Sequence, residues 1–225
     1  MSTDKIKAKL GDVAASFIEN GMIVGLGTGS TATCFIDSLA KRCERGLQVR
    51  AVATSIESAR YAQERGICVF EINDVERIDI TVDGADKVDK HKRLVKGLGG
   101  ALLREKIVAN ASEEMLVMVD EFKMVEDFEN FILPVEVISF AYQVTMKKII
   151  AKGYKCAARE KEGDLFVTDN GNMIVDIFFE DKCVNPETDH REIMSIPGVV
   201  ETGFFFSMAK RVLVGFKEGR VEVFK

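Results

Sequence analysis

The passage from Met22 to Cys43 restricts the fold more than any other part of the chain. A short apolar run, Met22 to Leu26, meets the turn Gly27-Thr28-Gly29-Ser30-Thr31, and a helical pattern then continues to about Cys43. Strand, glycine turn and helix in that order open a parallel α/β unit, because a parallel strand needs a crossover before its neighbour can be laid down. The alternation continues. Arg50 to Ala53 reads as a strand, and Thr54-Ser55-Ile56-Glu57 has the spacing of a capping box that starts a helix running to Arg65, before Gly66 ends it. Ile67 to Phe70, Ile78 to Val82 and Met115 to Val119 are further β-rich runs. A helix precedes them all, with Ser2, Thr3 or Asp4 as its cap and Ile6, Leu10, Val13, Ala14, Phe17 and Ile18 at helical spacing, stopped by Asn20-Gly21. The pattern predicts an α/β fold with a mostly parallel, Rossmann-like sheet flanked by helices.

From about residue 131 the pattern changes. Pro134 to Ile138 reads as a strand, Ala141 to Lys152 as a helix ended by Gly153, and Leu165 to Thr168 with Met173 to Ile177 as a hairpin around Asp169-Asn170-Gly171-Asn172. Asn185-Pro186 is an N-cap followed by Pro at the first helical position, with Pro197-Gly198 beyond the helix end. This block predicts a smaller α+β, ferredoxin-like subdomain over 131–204. The catalytic α/β domain is then 1–130 plus 205–225, closed by strands Val212 to Phe216 and Val221 to Phe224.

Composition excludes several classes of function. With 47% apolar residues in 225, the chain can bury a core without disulfide or metal staples. The net charge of −5, from 31 basic and 36 acidic residues, offers no broad footprint for nucleic acid or an anionic membrane. No stretch approaches the ~18 consecutive apolar residues of a membrane span, and Met1-Ser2-Thr3-Asp4-Lys5 does not open a signal peptide. A cytoplasmic location is expected. Cys34, Cys43, Cys68, Cys156 and Cys183 are scattered and never form C-x-x-C, which argues for buried small hydrophobes and against a disulfide framework or zinc site. With only His91 and His190, histidine chemistry has little material, so carboxylates and lysines are left to act.

Three loops fall where strands of such a sheet should end, which is where ligands bind. In Gly25-Leu26-Gly27-Thr28-Gly29-Ser30-Thr31 the glycines let backbone N–H groups approach an anion, and Ser30 and Thr31 add hydroxyls at a helix start. The loop lacks the third glycine of a dinucleotide fingerprint, and the next strand ends at Thr54 where a ribose-binding acid belongs. There is no Walker-type G-x-x-x-x-G-K either, which argues against nucleoside triphosphates; with both hydroxyl residues at the helix start, phosphate is favoured over a purely structural turn. The second loop, Asp83-Gly84-Ala85-Asp86, pairs two carboxylates; alone it reads as a polar turn, and it makes a weak magnesium site. The third, Lys96-Gly97-Leu98-Gly99-Gly100, puts a lysine before a flexible loop, and the helix that follows carries Glu105 one turn in.

A phosphate cradle, a carboxylate pair, a lysine and a helix-borne glutamate are the parts needed to move a proton beside the carbonyl of a sugar phosphate. With G-x-G-T-G-S-T at 25–31, D-G-A-D at 83–86 and K-G-x-G-G-A-L-x-x-E-K at 96–106, the chain closely resembles ribose-5-phosphate isomerases of the A type. The resemblance extends to Lys7, to L-P-V-E-V at 133–137 and to T-D-N-G-N at 168–172, and so spans essentially the whole chain. It implies reversible isomerisation of ribose 5-phosphate to ribulose 5-phosphate through an enediolate, a step of the non-oxidative pentose phosphate pathway. Glu105 matches the family's catalytic base, with Asp83, Asp86 and Lys96 as the other catalytic groups. Substrate contacts implied in the same way are Lys7, Thr28, Gly29, Ser30, Thr31, Asp83, Gly84, Ala85, Asp86, Lys96, Gly97, Leu98, Gly99 and Lys123. No metal or organic cofactor is then needed, and a homo-oligomer, dimer or tetramer, is expected through the smaller subdomain.

Leu98 replaces a glycine common in the family's loop, and Lys87 stands where an acid is frequent. Leucine rarely occupies positive φ, so Leu98 would narrow the loop's conformations. Related α/β proteins include CoA transferases and aminosugar-phosphate deaminases, but the D-G-A-D and K-G-x-G-G motifs favour the isomerase. A non-catalytic sugar-phosphate sensor is disfavoured by the retained Glu105.

Overall fold

The apolar row that predicts the first helix is the row it buries. In α1 (Thr3–Ser16), Ile6, Leu10 and Ala14 recur every four residues and are lost from solvent, as is Ala15. The computed structural model describes residues 1–224. The chain continues through β1 (Ile23–Leu26), α2 (Ser30–Glu44), β2 (Arg50–Ala53), α3 (Ile56–Gln63) and β3 (Ile80–Gly84). After the short strands β4 (Lys87–Val88) and β5 (Leu94–Val95) come α4 (Leu102–Asn110) and β6 (Met115–Asp120). Next are β7 (Phe131–Val137), α5 (Tyr142–Ala151), β8 (Cys156–Ala158), β9 (Glu160–Lys161), β10 (Asp164–Leu165) and β11 (Met173–Phe179). The last elements are α6 (Pro186–Met194), β12 (Val199–Thr202), β13 (Phe204–Phe205), β14 (Ala209–Gly215) and β15 (Val221–Phe224).

Two compact units result. The first comprises Met1–Asp86, Arg104–Met124 and the chain from Ser207 onward; the second comprises Lys87–Leu103 and Val125–Phe206. In the first unit, six strands form one sheet in the order β15-β14-β6-β3-β1-β2, parallel throughout except for the antiparallel edge strand β15. Alternate residues serve opposite faces. Val24, Leu26, Val82, Leu116, Met118 and Leu213 pack with Leu10 of α1 and Phe35 of α2, whereas Ile23, Val52 and Ile78 pack with Val108 of α4.

The second unit is built on the succession β7-α5-β8-β11-α6-β12. Its four strands lie antiparallel in the order β12-β7-β11-β8, the ferredoxin-like arrangement. Its core joins Leu133, Val135, Val175 and Ile177 to Ile149 and Ile193 and to a cluster of phenylalanines that includes Phe128, Phe131 and Phe204. A three-stranded sheet β13-β5-β4 adds Lys87–Leu103 to this unit, because Val95 pairs with Phe204 and packs in the same core. The boundaries expected from the sequence left that segment in the catalytic domain; the pairing that places it here spans more than a hundred residues.

Three local expectations change. The cap of α3 is Ser55, whose hydroxyl accepts from Ser58 N; Thr54 instead donates to Leu26 O at 3.0 Å. Ile67–Phe70 makes a single parallel bridge, Val69 to Ala51, at the sheet edge and forms no strand. The hairpin around Asn170-Gly171 closes with one bridge, Val167 to Met173, while β11 pairs with β7 and β8. By contrast Asn185 caps α6 as expected, with Pro186 at its start. Of the cysteines expected to be buried, Cys183 is, Cys68 is exposed and the other three are half-buried. No helix among the described residues is long and apolar enough to cross a membrane.

Candidate active site

The glycine-rich loop emerges from the carboxyl end of β1 and is held from three sides within the first unit. Gly27 N donates to Val82 O at 2.9 Å, and Ser58 Oγ donates to Gly27 O at 2.8 Å. Thr28 Oγ1 lies 2.7 Å from Thr54 Oγ1 and 2.9 Å from Ser55 Oγ. Gly29, at φ +95° and ψ 176°, is the N-cap of α2 and has no side chain to cap it. That backbone region is essentially closed to other residues, and the helix thereby opens with uncapped amide hydrogens and the positive end of its dipole. Lys7 Nζ donates to Ser30 Oγ at 2.9 Å. A lysine, a hydroxyl and a helix N-terminus converge there, the chemistry that holds a phosphate.

Asp83, at the end of β3, is fully buried and bonded into this loop. Its Oδ1 accepts from Thr28 N at 3.2 Å and from Gly84 N at 2.7 Å. Gly27 is obligatory beside it, since a Cβ there would stand 2.1 Å from that same oxygen. Gly84 lies against Thr31, whose Cβ would be 3.6 Å from a Cβ at position 84. The D-G-A-D turn and the start of α2 are therefore one packed assembly. Lys123, in the single turn after β6, donates to Ala85 O at 2.6 Å and ties down the far side of the turn; Asp86 is half-buried.

Glu105 belongs to the buried stripe of α4. Leu102, Glu105, Val108 and Ala109 recur at helical spacing, and Glu105 is only 4% exposed. A carboxylate on an apolar stripe is costly to desolvate.

Lys96 and its loop are held within the second unit. Lys96 is 3% exposed, with Nζ 5.6 Å from the centroid of the Phe205 ring. Its N–H donates to Gly203 O at 2.8 Å, and Gly203 N donates to Pro134 O at 2.7 Å, so the L-P-V-E-V strand β7 supports the loop. Gly97 and Gly100 carry the positive φ values, +103° and +80°, and Gly100 N closes the turn on Gly97 O at 2.9 Å. Leu98 is not among the positive-φ residues, so the side chain is accommodated without backbone strain and is 50% exposed. Gly99 is exposed beside it.

Within the first unit, Lys7, Thr28, Gly29, Ser30, Thr31, Asp83, Gly84, Ala85, Asp86 and Lys123 thus form a connected set, and Glu105 lies on the buried face of α4. Lys96, Gly97, Leu98 and Gly99 form the second set on their own unit. Sequence reasoning missed the supports: Thr54, Ser55 and Ser58 behind the glycine loop, and Arg159 at the carbonyls of Gly97 and Leu98. The run Thr54-Ser55 after a strand was a visible signal; nothing local marked Arg159.

A parallel sheet with a glycine loop and a helix N-terminus at its strand ends, and with buried carboxylates at Asp83 and Glu105, is suited to a small phosphorylated ligand. Residues 50–219 match the family model of ribose 5-phosphate isomerase A, also called phosphoriboisomerase A. The chain is 43% identical to the ribose-5-phosphate isomerase A of Bacillus mycoides over 214 residues, covering 95% of this chain and 97% of that one. A solved ribose 5-phosphate isomerase from Plasmodium falciparum superposes with a TM-score of 0.95 at 31% identity, over 99% of both chains. A D-ribose-5-phosphate isomerase solved in complex with phospho-erythronic acid superposes with a TM-score of 0.94 at 35% identity over the full length of both. The chain belongs to the ribose 5-phosphate isomerase A family.

Proposed function

We propose the following course for the reaction of that family, the interconversion of ribose 5-phosphate and ribulose 5-phosphate. Lys7, Ser30, Thr31 and the N-terminus of α2 hold the phosphate. Asp83 and Asp86 orient the sugar hydroxyls and assist opening of the furanose ring. Glu105 removes the C2 proton of the open-chain aldose, leaving an enediolate with its charge on O1; the hydroxyl proton passes from O2 to O1, and Glu105 returns its proton to C1. One carboxylate serves both carbons because they are adjacent, and shelter from bulk water keeps its proton available for the second step. Lys96 stabilises the negative charge that develops on oxygen, an interaction strongest in the transition state.

The observation that carries this reading is the burial of three ionisable side chains, Asp83 at 0%, Lys96 at 3% and Glu105 at 4% exposure. Withdrawing such groups from water is costly, and these three lie on the D-G-A-D and K-G-x-G-G-A-L-x-x-E-K motifs. The test is Glu105→Gln, which preserves shape and removes the base. kcat should fall by about 10³-fold, within the range of general-base contributions, while phospho-erythronic acid still binds as an inhibitor of the residual activity. Turnover at the normal rate sinks the assignment.

The same reading makes the protein a cytoplasmic homo-oligomer that self-associates through the second unit. Supporting it, Phe140, just before α5, and Val144, in its first turn, are 82% and 58% exposed, with Ile138 and Ile150 also open. Phe140 is the most exposed of these, and a large apolar side chain so open to water is a natural point for a partner chain to cover.

A further inference from the structure

Arg159 is a half-buried charge that the course above does not use. It stands between β8 and β9 with 12% of its side chain exposed, and its planar fork is engaged on two sides. On one side Nε donates to Asp176 Oδ2 at 2.8 Å and Nη2 donates to Asp176 Oδ1. On the other, Nη1 donates to Gly97 O at 2.9 Å and to Leu98 O at 2.8 Å. Phe166 completes the arrangement from the end of the β9–β10 hairpin. Its N–H donates to Arg159 O at 2.9 Å, its ring lies 5.9 Å from the guanidinium carbon, and a Cβ at Gly100 would come within 2.3 Å of it. Two residues seven positions apart thus hold the lysine loop at Gly97, Leu98 and Gly100.

The consequence follows from the planarity of the peptide. In a trans peptide the N–H points opposite to the C=O. Drawing the carbonyls of Gly97 and Leu98 onto one guanidinium directs the N–H groups of Leu98 and Gly99 away from it. We propose that Arg159, fixed by Asp176, is a positioning residue of the isomerisation: it sets these two peptides so that their amide hydrogens face the substrate oxygens, next to Lys96. The inference rests on 96–99 being a substrate-binding loop. Only a guanidinium supplies donors to a carboxylate and to two carbonyls in one rigid plane; an ammonium is a point charge without that fork.

Arg159→Ala, Arg159→Lys and Lys96→Ala, made in the full-length protein, test it together. Arg159→Ala should lower kcat/KM for ribose 5-phosphate by about 100-fold, the scale of a small misplacement of binding groups, and millimolar guanidinium chloride should restore part of the loss. Arg159→Lys, which keeps the charge beside Asp176, should lose activity to a similar degree; it carries the test alone if the alanine variant does not fold. Normal kcat/KM in the arginine variants, with Lys96→Ala inactive, overturns the positioning role and leaves the reading of the loop intact. A loss that guanidinium does not reverse and that follows a fall in melting temperature assigns Arg159 to stability and also overturns it. Normal activity in Lys96→Ala overturns the reading of the loop, and the inference with it.

Discussion

Gly27→Ala tests whether the phosphate loop and Asp83 form one rigid assembly. A Cβ at position 27 would stand 2.1 Å from Asp83 Oδ1, 2.3 Å from its Cγ and 2.7 Å from its Cα. Because one of the three is backbone, no rotamer of Asp83 relieves the overlap, and strand β3 itself must yield. The displaced Oδ1 is the acceptor for Thr28 N and Gly84 N. Losing one such bond to a buried carboxylate costs about 2 kcal/mol, and forcing the extra methyl into a packed site costs about 2 kcal/mol more. At this chain length the combined loss of about 4 kcal/mol lowers the melting temperature by roughly 8–16 °C. Thermal unfolding followed by circular dichroism measures it, and kcat/KM measured well below the transition should fall as well, because the moved carboxylate belongs to the site. Gly21→Ala is the control: position 21 has φ +86° and nothing within 4 Å, so only backbone strain of about 1 kcal/mol applies. A Gly27→Ala protein that melts with the control and keeps full activity would refute the reasoning.

Other consequences are simpler to check. Lys7→Ala removes the cation beside Ser30 and should raise KM for ribose 5-phosphate about tenfold, a loss comparable to one charge-assisted bond, with kcat unchanged; an unchanged KM would make Lys7 an ordinary solvated helix residue. Burial pushes the thiols of Cys34, Cys43, Cys156 and Cys183 up, and Cys183 also donates to Asp189 Oδ2. At pH 8 a thiol-disulfide reagent should therefore modify exposed Cys68 first, as peptide mapping will show, and earlier labelling of Cys183 would contradict this account of the thiols. Phe140→Glu should shift the molar mass measured by light scattering to that of a single chain, whereas an unchanged oligomer would move the interface elsewhere.

Much of the first unit was legible because its signals are local. The sequence β1, glycine turn, α2 announces itself in ten consecutive residues, and Asn185-Pro186 marks the start of α6 through capping chemistry alone. Where two local signals competed, tertiary context decided. Thr54 and Ser55 are both good caps, but Thr54 is claimed by Leu26 O and Thr28, which leaves Ser55 to accept from Ser58 N. The run 67–70 has strand composition but sits beyond β2 at the sheet edge, with too few partners to extend one bridge. What stayed illegible depends on distant pairing. Lys87–Leu103 joins the second unit because β5 finds β13, and Arg159 reaches Gly97 and Leu98 across about sixty residues of sequence. No periodicity in either partner carries that information.

The central claim, that Glu105 performs the proton transfer between C2 and C1, is tested most directly by proton NMR of ribose 5-phosphate in D₂O containing EDTA. Normal protein and Glu105→Gln are compared at equal concentration, both verified as folded by circular dichroism. The account predicts that the normal protein forms ribulose 5-phosphate in which C1 carries the proton taken from C2 in preference to solvent deuterium, and that the variant forms no ketose over the same interval. Ketose appearing from Glu105→Gln at the rate of the normal protein would contradict it.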